Sequence, residues 1–146
     1  MQVNFYYKNK PSSTVYEIII AEICNRAALL IPLPHEIDVI FARLHHSTYG
    51  GIDTSKSNCL VLSTNLNLKS IPTILVHELI HISQRHTKML QIYNDGSYTW
   101  MGKFYLRQNP ETLPREEYLN LPWEVDVSTR LPILLEKILD TDTVVC

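Results

Sequence analysis

The chain has only three cysteines, Cys24, Cys59 and Cys146, an odd number without paired spacing. A disulfide framework is not suggested, and a cysteine-rich zinc finger is excluded. No run of Lys or Arg interrupts a net charge of −2, so there is no surface of the kind that neutralises a nucleic-acid backbone, and nucleic acid is not expected as a partner. Long apolar runs are absent as well. Met1 to Lys8 has no signal-peptide core, and Glu17, Glu22 and Arg26 break up the next apolar stretch. Neither a secretion signal nor a membrane span is expected, which points to a cytoplasmic, thiol-reduced protein; a virus- or phage-encoded protein that leaves the cell without a signal peptide would look the same. Internal repeats, low-complexity tracts and linkers are missing too. At 146 residues and 45% hydrophobic, the whole length, 1–146, reads as one domain with a real core and no need of a disulfide staple.

What is present is concentrated in His77-Glu78-Leu79-Ile80-His81. On a helix, positions i and i+4 share a face, so both imidazoles can reach one ion while Glu78, about 100° round, sits beside it. That arrangement suits metal-assisted hydrolysis, with two His ligands on Zn²⁺ and a carboxylate that takes a proton from water. At this chain's composition the pattern arises by chance roughly 0.015 times. Ser70-Ile71-Pro72 reads as a helix start. From there Ile71, Ile74, Leu75, Val76, Leu79, Ile80 and Ile82 make a helix apolar over most of its circumference, hence a buried one. Two histidines and a glutamate on such a helix are costly to desolvate unless something satisfies them, and a cation does so.

Around this helix the pattern is α+β. Thr14-Val15-Tyr16-Glu17 has the form of a capping box, opening a first helix that runs to Leu30 before Ile31-Pro32-Leu33-Pro34. Asp38 to Leu44 and Asn58 to Ser63 read as strands, with a turn at Tyr49-Gly50-Gly51 and Ile52-Asp53 in or near a hairpin, which predicts a small antiparallel sheet ahead of the motif helix. Asn94-Asp95-Gly96-Ser97 is a turn, and Tyr98 to Leu106 is aromatic-rich without a decisive period. Pro114 to Leu119 begins like a short helix. Another starts at Pro122 and reaches Leu131, continuing or restarting after Pro132 as far as Leu139.

A catalytic zinc takes three protein ligands and keeps a position open, so a third must be found. His86 turns off the metal face by roughly 140° and suits the helix end better. His35 precedes the helix, and of the adjacent pair His45-His46 at most one can point inward from a strand. The better candidates are Glu124 and Asp126 on the later helix. They lie about 200° apart, so only one faces the metal. Glu124 shares its face with Val127, Ser128 and Leu131, which points it inward, and Asp126 then points outward unless it ligates in Glu124's place. Taken alone, Glu124 would be an ordinary first-turn acid favoured by the helix dipole.

A motif helix followed by a glutamate on a later helix resembles the gluzincin branch of the zincin metallopeptidases, over about residues 58–130. The resemblance implies a small zincin-like domain in which His77, His81 and Glu124 bind Zn²⁺ and Glu78 is the general base. It also implies that the strand matched by Cys59 to Ser63 lies along the cleft and pairs with an extended peptide or protein substrate. Where many gluzincins carry an Asp four residues after the ligand Glu, this chain has Ser128. Ser128 or Asp126 would then supply the bond that orients an imidazole. Gln84, Trp100, Tyr105 and Tyr118 ahead of Pro122-Trp123-Glu124 look like the short zincin-like proteins of bacteria and their phages. Hydrolysis also needs a donor to the oxyanion. Tyr118, six residues before Glu124, is the first candidate, with Tyr98 and His86 behind it. The alternative reading is a catalytically silent zinc-binding module, structural or interacting, such as a phage or effector component.

Overall fold

The computed structural model describes residues 1–8, 11–44, 49–106 and 112–140. In chain order the elements are β1 (Gln2–Tyr7), α1 (Thr14–Ala28), β2 (Glu36–Ala42), β3 (Gly50–Ile52), β4 (Cys59–Ser63), α2 (Ile71–His86), β5 (Leu90–Ile92), β6 (Tyr98–Trp100), β7 (Lys103–Tyr105), α3 (Arg115–Leu119) and α4 (Pro122–Leu139). The α+β class and this order agree with the sequence pattern: α2 bears both motif histidines, and Glu124 lies on α4.

One sheet has the order β1-β2-β4-β3 and the other β5-β6-β7. The sheet ahead of α2, expected to be antiparallel, is mixed. β1, β2 and β4 run parallel and only the β3–β4 pair is antiparallel. Parallel neighbours need long crossovers. The chain supplies one through α1 between β1 and β2, and another through β3 between β2 and β4. β1, whose residues gave no strand expectation, alternates: Val3, Phe5 and Tyr7 pack on the core.

α1 buries Ile20, Ile23, Cys24 and Ala27, a stripe at helical spacing. The capping box does not form. Ser13 is the N-cap without a side-chain bond, and the Glu17 carboxylate instead accepts from the Tyr7 hydroxyl at 2.6 Å. Ser70 likewise makes no side-chain cap, its own backbone being helical. α2 is buried over most of its circumference, from Ile71 through Leu75, Val76, Leu79, Ile80 and Ile82, as its apolar pattern requires. It packs against α1, α4, β3, β4 and β5. α4 continues through Pro132 to Leu139 and buries Trp123, Glu124, Val127, Leu134 and Ile138. Glu124 thus heads the apolar stripe that seats α4 on the core. Among the described residues no helix is long and apolar enough to cross a membrane.

Candidate metal centre

His77 and His81 present their rings side by side on α2, centroids 5.1 Å apart at 68°. The first turn of α4 brings Glu124 against both. Its Oε2 lies 3.5 Å from His77 Nε2 and its Oε1 3.0 Å from His81 Nε2. One ligand atom from each of the three residues falls within 4.8 Å of the others. Bonds of about 2.0–2.1 Å in tetrahedral directions place zinc ligands roughly 3.4 Å from each other, so two nitrogens and a carboxylate oxygen at these separations fit such an ion with little adjustment. His81 and Glu124 are buried and His77 is part-exposed, so the cluster opens on one side.

The electrostatics follow from that packing. Burial pushes the Glu124 carboxyl up, but hydrogen bonding and Coulomb attraction from His77 and His81 more than offset it and hold the group at about 2. Burial pushes His81 down, and its bond to Glu124, reinforced by the charges of Glu124 and Glu78, leaves it raised. Glu78 is buried beside the cluster and raised, chiefly by desolvation, against the pull of His81 and His77. A carboxyl raised in this way holds a proton more readily than a solvated one.

The sequence offers two carboxylates as third ligand, and the geometry separates them. Glu124 faces the histidines, while Asp126 turns away and accepts from Gln84 Nε2 at 2.9 Å and from Arg130 Nη2 at 2.7 Å. Ser128 does not orient an imidazole either, since its hydroxyl donates to the Glu124 backbone carbonyl. The side chain that contacts the second nitrogen of His81 is Gln84, whose Oε1 lies 2.8 Å from Nδ1. Its signal in the sequence was an amide three residues past a ligand, on the same helix face and inside an apolar run.

The centre forms one wall of a cavity of about 170 Å³. Ile52, Leu90, Ile92, Tyr98, Leu121 and Trp123 make much of the rest. Trp123 stacks on Tyr98 at 5.0 Å and meets Tyr105 edge-on at 5.3 Å, which ties the second sheet to the start of α4. β4, the strand expected to border the cleft, is flanked by β2 and β3 and has no free edge. The edge strand on this side is β3, and Gly50, Gly51 and Ile52 line the cavity. Its closeness to α2 depends on Gly50: a Cβ there would stand 2.8 Å from Ile74 Cγ2 and 3.5 Å from Glu78 Cγ. Arg85 secures the end of the same hairpin, donating to the carbonyls of Asp53, Thr54 and Lys56.

Of the candidate oxyanion donors, Tyr118 borders the cavity and donates to Glu124 Oε1 at 3.0 Å. The residue is 38% exposed, but its hydroxyl turns inward, and burial there together with the Glu124 charge pushes it up. Tyr98 also lines the cavity, whereas His86 ends α2 with its side chain exposed. His35 is exposed in the loop before β2, and His45 and His46 lie outside the described residues. No family model matches the chain, and no curated protein or solved structure is detectably similar to it.

Proposed function

We propose that this protein is a zinc-dependent metallopeptidase of the gluzincin type that hydrolyses peptide bonds, with His77, His81 and Glu124 as ligands and Glu78 as general base. The convergence of three ligand atoms within 4.8 Å, beside a buried glutamate, carries the reading. When bound, zinc supplies Lewis acidity and lowers the pKa of water toward neutrality. Glu78 accepts the proton of the attacking water and hands it to the leaving amine. Tyr118 donates from the cavity rim to the developing oxyanion, exchanging its bond to Glu124 for that one. An extended peptide or protein substrate adds to the free edge of β3, whose main chain runs past Glu78, and places an apolar side chain against Ile52, Leu90 and Trp123.

Glu78→Gln separates the chemistry from the architecture, because an amide keeps the shape but cannot take up a proton. It should retain zinc and fold yet lose about 10²–10⁴-fold in hydrolysis, or roughly 3–5 kcal/mol of barrier. Both forms would be incubated with a mixed peptide library and new termini read by mass spectrometry. Cleavage by wild type alone supports the peptidase. Equal cleavage by both assigns the activity to another base or a contaminant, and zinc without cleavage by either favours the silent binding module.

A further inference from the structure

Gln84 is fully buried, and both ends of its amide are committed. Nε2 lies 2.9 Å from the Trp123 carbonyl oxygen and 2.9 Å from Asp126 Oδ2, while Oε1 lies 2.8 Å from His81 Nδ1. The first two partners only accept hydrogen bonds, and Asp126 is itself held by Arg130. Exchanging amide oxygen and nitrogen would set lone pairs against both acceptors, so the partners dictate the orientation of the amide. A carbonyl oxygen then faces Nδ1. Since that oxygen cannot donate, the hydrogen bond exists only if Nδ1 carries a proton.

From this chain we infer that Gln84 is a positioning residue that fixes the His81 proton on Nδ1 and commits Nε2 to the metal, with the Trp123 carbonyl and the Asp126–Arg130 pair holding its amide in place. The inference rests on the metal-binding reading of the site. The same amide also spans the two helices that carry the ligands, joining His81 on α2 to the residue beside Glu124 on α4. Its two roles, docking helices and placing a proton, respond differently to substitution. Gln84→Met approximates the shape but loses both the acceptor and the donor. Gln84→Glu preserves the acceptor but sets a carboxylate against the Trp123 carbonyl and Asp126, which weakens docking.

Zinc affinity would be measured for the three proteins by competition with a chromophoric chelator, and long-range ¹H–¹⁵N spectra would locate the His81 proton in the wild type. The expected result is Gln84→Met about 10–100-fold weaker than wild type, with Gln84→Glu between the two. Met binding as well as or better than Glu would mean that Gln84 only docks helices, and would overturn the inference. Should a variant fail to fold, the spectrum of zinc-loaded wild type decides alone: zinc on Nε2 with a proton on Nδ1 supports the chain, and zinc on Nδ1 refutes it. A wild type that binds no zinc overturns the metal reading itself, whereas a wild type that binds zinc through Nδ1 overturns only the Gln84 inference.

Discussion

His77 and His81 are four residues apart on one helix and live in opposite surroundings. The His81 side chain is 7% exposed, bonded to Glu124 on one nitrogen and to Gln84 on the other. The His77 side chain is 33% exposed and meets Glu124 at the longer distance of 3.5 Å, and among the described residues no hydrogen bond holds its other nitrogen. Behind His81 lie α4 and the Gln84–Asp126–Arg130 chain, while the centre's open side is the cavity bordered by β3. A metal centre needs both halves: a dry, hydrogen-bonded side that fixes ligand geometry and an accessible side that admits the reactants.

In the metal-free protein the two halves should respond differently to substitution, most of all at His81. His81→Ala breaks a buried pair with Glu124 and strands the Gln84 oxygen, so unfolding by denaturant should show a loss of roughly 3 kcal/mol. His77→Ala removes a part-exposed partner and should cost under about 1 kcal/mol. Equal losses would dissolve the distinction between the two halves. Next in size is the wall opposite. Gly50→Val drives a side chain into Ile74 and should destabilise by about 1–3 kcal/mol and raise KM for peptide by shifting β3, whereas Gly51→Ala, with nothing within 4 Å of its Cβ, should stay within about 0.5 kcal/mol.

The smallest effect is one of pH, read from thermal melts without metal. Glu124 is held below its ordinary 4.5, so its contribution is present above that value and fades as pH falls toward about 2. His81 is raised above 6.5, so its contribution is present below that value and is lost as pH rises through the higher folded-state value. Glu78, raised by burial, adds to the alkaline loss, since ionising it inside the fold is costly. The metal-free melting temperature should therefore peak between about pH 4.5 and 6.5 and decline above. Zinc needs Glu124 ionised and the ligating imidazoles unprotonated, so the melting-temperature rise it produces should grow from pH 5.5 to 8. A metal-free melting temperature that climbs steadily to pH 8 would contradict the charge assignment.

The centre was legible in sequence where spacing alone fixes geometry: His77 and His81 at i and i+4, and Glu124 at the head of the Val127–Leu131 stripe. What the sequence hid were contacts made across elements. Gln84 reads as one more polar residue until α4 supplies Trp123 and Asp126 as its partners. The edge position of β3 depends on strand order, which no local pattern carries, and three residues containing two glycines look like a turn. The parallel pairing of β1 and β2 was concealed by the α1 crossover. The β6–β7 hairpin escaped assignment because its two turn residues are Met101 and Gly102, both at positive φ, where an Asn-Gly pair would have announced the turn. The Thr14–Glu17 box was misleading because the Tyr7 hydroxyl, on a strand the pattern did not announce, engages the Glu17 carboxylate.

The most direct test of the account is the metal content of purified wild type beside Glu124→Ala and Asp126→Ala. The wild type should hold about one zinc per chain, Glu124→Ala should lose it, and Asp126→Ala should retain nearly all of it, because the Trp123 carbonyl still anchors Gln84. Zinc retained by Glu124→Ala and lost from Asp126→Ala would show that the wrong carboxylate had been chosen, and equal metal content in all three proteins would refute the centre.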